Sequence, residues 1–219
     1  MKYAIFLNGE YPKLNEYHFN LIKNRFIYCC DGAANTLIKY NIKPDIIIGD
    51  FDSIDKKAWE YYKNTKMYKY DSDKDYTDFE IALIHIYGIN NINIKNRFNN
   101  CETYLSGKED IIVFGATGYR TDMTISNLKL LEKNKNMKFI SHTNELIYYI
   151  NNKSTIYDMK NHIFSLIPIT DIKNLSLKGF KYNLKNKNIE RQTSLVSNII
   201  ESNSAEIELN GEALVFIKK

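Results

Sequence analysis

Apolar positions in the first two thirds of the chain follow two alternating patterns, short unbroken runs and stripes recurring every three to four residues. The runs within residues 2–7, 25–30, 45–48 and 110–114 are rich in Ile, Val, Phe and Tyr and have the length of buried strands. Residues 17–23, 33–40, 54–63, 79–86 and 123–131 read as helices. In the fourth of these, Phe79, Ala82, Leu83 and Ile86 recur at i, i+3, i+4 and i+7. Asn41 can take the left-handed position that closes the second helix, and Pro44 forbids its continuation. Strands separated by crossover helices pair in parallel, so this region predicts a layered α/β domain with a mostly parallel sheet.

Beyond about residue 140 the periodicity changes. Short β-branched runs at 146–150, 154–157, 163–167, 172–177, 195–200, 205–209 and 213–217 are broken by Asn, Asp, Gly and Pro. Such spacing predicts an antiparallel all-β sandwich or barrel. The expected division is therefore an α/β domain over 1–143 and a β domain over 144–219. Residues 90–107, with six asparagines and no proline, fit neither pattern and read as an extended surface loop.

Composition narrows the class. A chain of 219 residues buries about 70% of its unfolded surface and needs no staples to hold a core. Cys29, Cys30 and Cys101 are odd in number and form no CxxC pair, which argues against a disulfide framework and against zinc. A reducing, cytoplasmic compartment is expected. The apolar run before Asn8 is too short for the core of a signal peptide, and no run approaches the ~20 apolar residues of a membrane span. The net charge of +4, from 30 basic and 26 acidic residues, is spread without a like-charge block, so no nucleic-acid patch is visible. His18, His85, His142 and His162 share no ligand spacing.

Candidate chemistry lies where the strand-like runs break. Asp31 follows the run Phe26-Ile27-Tyr28-Cys29-Cys30; it reads either as a helix cap or as a ligand beside the small Gly32 and Ala33. Asp50 and Asp52 flank Phe51 directly after Ile46-Ile47-Ile48, where extended backbone would aim both carboxylates at one point. Capping by Asp52 or Ser53 would explain one acid, not two. Asp75 and Asp78 lie one helical turn apart and could form a capping box, or Asp78 could close the carboxylate cluster while Lys74 meets phosphate. Carboxylates that converge repel unless a cation joins them, and the oxygen-only donor set points to Mg²⁺ with a phosphate-bearing partner. Gly115-Ala116-Thr117-Gly118, followed by Arg120 and Asp122, offers either an anion cradle or a plain structural turn. In the β region Tyr182 could stack on a flat heterocycle or simply pack.

Taken in order, DGAAN, PDIIIGDFDS, DKDYTD, GATGYRTD, GFKYNL and the late Ser197-Asn198 resemble the motif series of the thiamine pyrophosphokinase family. The resemblance implies an α/β domain followed by a β-sandwich domain, and transfer of the pyrophosphoryl group of ATP to the hydroxyl of thiamine. It also implies a homodimer with active sites between subunits. Carried over residue by residue, it places Asp50, Asp52 and Asp78 around Mg²⁺ and the triphosphate, with Asp31, Ser53, Asp75 and Thr77 close by. Lys74 and Arg120 would meet phosphate oxygens, and Asp122 would sit near the substrates. Tyr182, Ser197 and Asn198 would form the thiamine side, supplied by the partner subunit. Met123 stands where the family commonly has His or Gln, and Asn183 where it often has Pro. Rival readings are pyrophosphoryl transfer to another hydroxymethyl heterocycle, such as a pterin, and a nucleotide- or thiamine-binding regulator without catalysis.

Overall fold

The apolar runs of the N-terminal region become parallel strands because each is too apolar to leave a face in water. In the computed structural model, which describes residues 1–88 and 107–219, the chain divides into two compact units, Met1–Thr143 and Asn144–Lys219. The first unit runs β1 (Lys2–Phe6), α1 (Glu16–Ile22), β2 (Phe26–Cys30), α2 (Ala34–Leu37), β3 (Ile46–Gly49), α3 (Lys56–Tyr61), β4 (Lys66–Lys69), α4 (Asp78–Ile86), β5 (Asp110–Phe114), α5 (Thr121–Leu130) and β6 (Met137–Ile140). Its strands lie in the order β6-β5-β1-β2-β3-β4, all parallel.

That order has a switch point. From β1 the chain steps outward through β2, β3 and β4, then returns to pair β5 on the other flank of β1, with Lys2 opposite Asp110 and Phe6 opposite Phe114. Loops leaving β1 and β5 at their carboxyl ends therefore diverge and leave a crevice, the usual ligand position in an open α/β sheet. The core beneath is dense: Phe6 and Phe114 stack with ring centroids 5.0 Å apart, and Ile5, Ile47, Ile48, Leu83 and Ile111 are fully buried.

The α/β reading of this region is borne out, and local chemistry accounts for its boundaries. Residues 31–40 form not one helix but α2 flanked by single 3₁₀ turns, closed by Asn41 at φ 52°. The helix expected over 54–63 shortens to Lys56–Tyr61 because the Asp55 side chain accepts from Ala58 N at 2.8 Å and so starts it later. Strand β4, sequence KMYK, and strand β6 carry too few apolar residues in a row to read as strands from pattern alone. No helix among the described residues is long and apolar enough to cross a membrane.

The second unit is an antiparallel sandwich. One layer has the order β12 (Leu195–Ile199), β9 (Ile163–Pro168), β14 (Ala213–Lys218), β7 (Glu145–Ile150). The other has β11 (Leu184–Ile189), β10 (Ile172–Lys178), β13 (Ser204–Asn210), β8 (Ser154–Tyr157). Inward residues alternate along each strand, and Phe164, Leu166, Leu175, Leu177, Phe180, Ile207 and Val215 meet between the layers. Strand β11, LKNKNI, is almost wholly exposed and pairs at the edge, which is why apolar pattern missed it. The loop expected over 90–107 and Cys101 lie outside the described residues except for Gly107.

Candidate active site

Three turns at the carboxyl ends of β2, β3 and β4 build an acidic rim. Asp31 leaves β2 at φ 45°, is buried, and is not a helix cap: Cys30 holds that position and no side chain caps the turn. Gly49, at φ 148°, lets the end of β3 pass close by. A Cβ there would lie 2.9 Å from Asp31 Cβ and 3.3 Å from Asp78 Oδ2. Phe51 then adopts φ 68°, an outlier for a bulky residue, with its ring edge-on to Trp59 at 5.8 Å.

This left-handed step corrects the extended geometry expected between Asp50 and Asp52. The Asp52 N–H donates to Asp50 Oδ1 at 3.4 Å, and Ser53 Oγ donates to Asp52 Oδ1 at 2.7 Å. Asn35 braces the turn from α2, donating to Ser53 O and accepting from Asp55 N at 2.8 and 2.9 Å. Sequence pattern gave Asn35 no role; its place one helical turn after Asp31 was the available signal. Carboxylate oxygens of Asp31, Asp50 and Asp52 come within 4.8 Å of one another.

The third turn adds Asp78 and Lys74. The cap of α4 is Thr77, not Asp75: Thr77 Oγ1 accepts from Glu80 N, and the buried Glu80 carboxylate reaches back to Thr77 N at 2.9 Å. Asp78 is thereby the first helical residue rather than a capping partner, and its carboxylate is left for other work. Lys74 Nζ lies 3.3 Å from Asp78 Oδ1 and 3.9 Å from Asp50 Oδ2. Asp75 is exposed in the preceding turn.

Burial raises the pKa of Asp31 above its ordinary 3.8, with Asp50 and Asp52 adding repulsion against hydrogen bonds from Gly32 and Ser53. Burial likewise raises Asp78, opposed by Lys74 and assisted by Asp31 and Asp50. Oδ1 of Asp31 and Oδ1 of Asp78 are buried without a well-aligned hydrogen-bond donor, although Lys74 Nζ stands 3.3 Å from the second and lowers that carboxyl's pKa. Buried carboxylate oxygens without a donor are rare, and a cation is one group whose chemistry would suit them. A hard divalent ion such as Mg²⁺ fits this all-oxygen donor set.

A cleft of about 340 Å³ opens beside the rim at the β1/β5 switch point. Asn8, Cys30, Thr77, Asp78, Phe79, Met123 and Asn127 line it, together with the turn from Gly115 to Arg120. Gly115, at φ 73°, approaches so closely that a Cβ would lie 2.3 Å from Leu7 O. Asn127, buried on α5, donates to Ala116 O at 2.9 Å and pins that turn. Thr117 Oγ1 meets His142 Nδ1 at 3.2 Å. Thr117 belongs to the turn singled out in the sequence, whereas Asn8 and Asn127 had no part in that reading; an asparagine in helical register with Met123, Leu130 and Leu131 was the signal for the last. Arg120 lines the cleft but stands exposed, with NH2 2.6 Å from Asp122 Oδ2; that bond raises the arginine's pKa and lowers the aspartate's.

In the sandwich unit Tyr182 is exposed beside Lys181, whose ammonium lies 5.4 Å from its ring centroid. Asn198 is buried beneath it: Oδ1 accepts from Tyr182 N at 3.0 Å and Nδ2 donates to Tyr182 O at 2.9 Å. The carboxamide is thus spent on holding the tyrosine's backbone. Asn183, in the place of the family's frequent proline, closes the same turn by accepting from Phe180 N at 3.1 Å. Ser197 is exposed at φ 62°, and its N–H donates to Ser165 Oγ.

Residues 19–141 match the family model described as thiamin pyrophosphokinase, catalytic domain, and residues 148–214 the one described as thiamin pyrophosphokinase, vitamin B1 binding domain. The thiamine pyrophosphokinase of Bacillus subtilis (strain 168) is 30% identical over 174 residues, covering 75% of this chain and 73% of the relative. Thiamine pyrophosphokinase 1 of Arabidopsis thaliana is 26% identical over 249 residues, covering 100% of this chain and 87% of the relative. A thiamin pyrophosphokinase family protein from Enterococcus faecalis, at 19% identity, shares the fold with a TM-score of 0.79 over 100% of this chain and 99% of that one. By both of its domains, this chain belongs to the thiamine pyrophosphokinase family.

Proposed function

We propose that the protein is a thiamine pyrophosphokinase, transferring the pyrophosphoryl group of ATP to the hydroxyl of thiamine to give thiamine diphosphate and AMP. The observation that carries this reading is the convergence of Asp31, Asp50 and Asp52 oxygens within 4.8 Å, with Asp78 and Lys74 beside them and a cleft at the sheet's switch point.

Asp50, Asp52 and Asp78 would hold Mg²⁺, with Asp31 completing the negative rim. The ion supplies Lewis-acid charge neutralisation on the phosphate oxygens when bound. Thr117, Asn127 and Phe79 line a cleft with the mixed polar and apolar character a nucleoside needs, and the Gly115 turn lets its backbone approach the ligand. Lys74 and Arg120 take phosphate oxygens, Arg120 after leaving Asp122. The thiamine hydroxyl oxygen forms its bond to the β-phosphorus, the bridging oxygen departs on AMP, and the hydroxyl proton passes to water. Positioning and charge neutralisation dominate such transfers, so no side chain is assigned as a strong base.

In the same reading Tyr182 offers its ring to the heterocycle, Ser197 a hydroxyl, and Asn198 a rigid seat for the tyrosine, across a cytoplasmic homodimer. A sedimentation mass of a single chain would remove the dimer from the proposal. The reaction itself is tested by incubating the pure protein with ATP, MgCl₂ and thiamine, and separately with a hydroxymethylpterin, and following AMP. AMP release dependent on thiamine is expected; release with the pterin alone, or with neither, overturns the assignment.

A further inference from the structure

Lysine is seldom buried unless it is paired, and the Lys74 side chain is only 9% exposed. Its ammonium faces two carboxylates, Asp78 at 3.3 Å and Asp50 at 3.9 Å, and stands between them. Asp78 Oδ1 remains without a hydrogen bond even at that distance. Asp50 in turn lies within 4.8 Å of Asp31 and Asp52 oxygens, so the ammonium pairs with two members of a group of four acids. The lysine sits in the turn before α4, where its own N–H donates to Ser72 O at 3.1 Å, four residues ahead of Asp78. An ammonium on a flexible four-carbon stem is a point charge that can neutralise a group of oxygens and still leave.

We propose that Lys74 is the resident counter-ion of the acidic rim, holding Asp50 and Asp78 together before any ligand arrives and competing with bare divalent metal for them. The identity of the incoming ligand, a metal-bound nucleoside triphosphate, rests on the function proposed above; the competition with free metal does not. A free divalent ion must displace the ammonium while offering it nothing in exchange. A metal-nucleotide brings phosphate oxygens to which the same ammonium transfers over a short swing of its stem. Lys74 thereby makes the rim accept metal with nucleotide in preference to metal alone.

The test is a Mn²⁺ titration followed by electron paramagnetic resonance, on the full chain without nucleotide. Wild type is compared with Lys74→Met and Lys74→Gln, the second retained should the first fail to fold. Lys63→Met serves as the control for net charge, since Lys63 pairs only with exposed Glu60 on α3 among the described residues. Removing a unit positive charge within a few ångströms of the metal is expected to tighten Mn²⁺ binding by about tenfold in both Lys74 variants. Lys63→Met should match wild type, and the Lys74 variants should gain more thermal stability from Mn²⁺ than wild type does. Unchanged or weaker Mn²⁺ binding in both Lys74 variants overturns the proposal, as does equal tightening in Lys63→Met. Absence of AMP release from ATP and thiamine would remove the proposed reaction and leave this result standing.

Discussion

The acidic rim and the Tyr182 turn are both built from polar residues on bent backbone, yet they are finished in opposite ways. Beneath Tyr182, the Asn198 carboxamide makes three hydrogen bonds to backbone, including one from Ile199 N, and Asn183 closes the turn beside it. At the rim, two buried carboxylate oxygens accept nothing, and a phenylalanine and an aspartate sit at positive φ. The first region spends its polar groups on fixing the backbone of one exposed tyrosine; the second leaves two carboxylate oxygens unsatisfied. Strain and unpaired charge of this kind persist only where the surrounding fold over-determines them.

The sharpest way to break the contrast is to remove charge from the rim. Asp52→Asn keeps the side chain's shape and the Ser53 contact, so the fold should persist while kcat for AMP release falls by about two orders of magnitude or more. Near-normal turnover would show that the rim carries no chemistry. Asn198→Ala attacks the other region and should act as a structural loss: about 1–2 kcal/mol less stability from orphaned backbone groups, by urea denaturation. It should also raise KM for thiamine with KM for ATP unchanged, and equal effects on both substrates would dissolve the distinction between the two regions.

The subtlest effect has the opposite sign in stability. Asp31 has a raised pKa in the fold, so its contribution to stability is full below its ordinary 3.8 and is lost as pH rises through the raised value. Asp31→Asn mimics the protonated form and should raise the ligand-free Tm by on the order of 2 °C at neutral pH, a gain that closes on acidification. With saturating Mg²⁺-ATP the order should reverse, since wild type alone gains the full binding energy. A ligand-free variant less stable than wild type at pH 7 would mean that the carboxylate is satisfied after all.

Much of this is legible in the sequence. Ile46-Ile47-Ile48 ending in Gly49-Asp50-Phe51-Asp52 announces a buried strand delivering acids to a sheet edge, and the structure brings Asp31 to the same point. Dihedral angles were not legible: nothing in the letters says that Phe51 turns left-handed instead of continuing the strand. The cap of α4, by contrast, was legible and passed over: Thr77-Asp78-Phe79-Glu80 spells the T-x-x-E capping box, whereas Asp75 and Asp78 lack the Glu or Gln that such a box requires. Asn127 and Asn35 could be suspected from their helical positions, but their partners, Ala116 O and Ser53 O, are set by packing and not by spacing.

The pairing of β1 with β5 sets a schedule for the nascent chain. Lys2 must wait for Asp110 to leave the ribosome before the two strands can meet, whereas β1 through β4 can associate from local neighbours as they emerge. The acidic rim can thus assemble during synthesis well before the crevice beside it exists, and the nucleotide affinity proposed for that crevice should appear abruptly, in chains long enough to release β5, rather than growing in step with length.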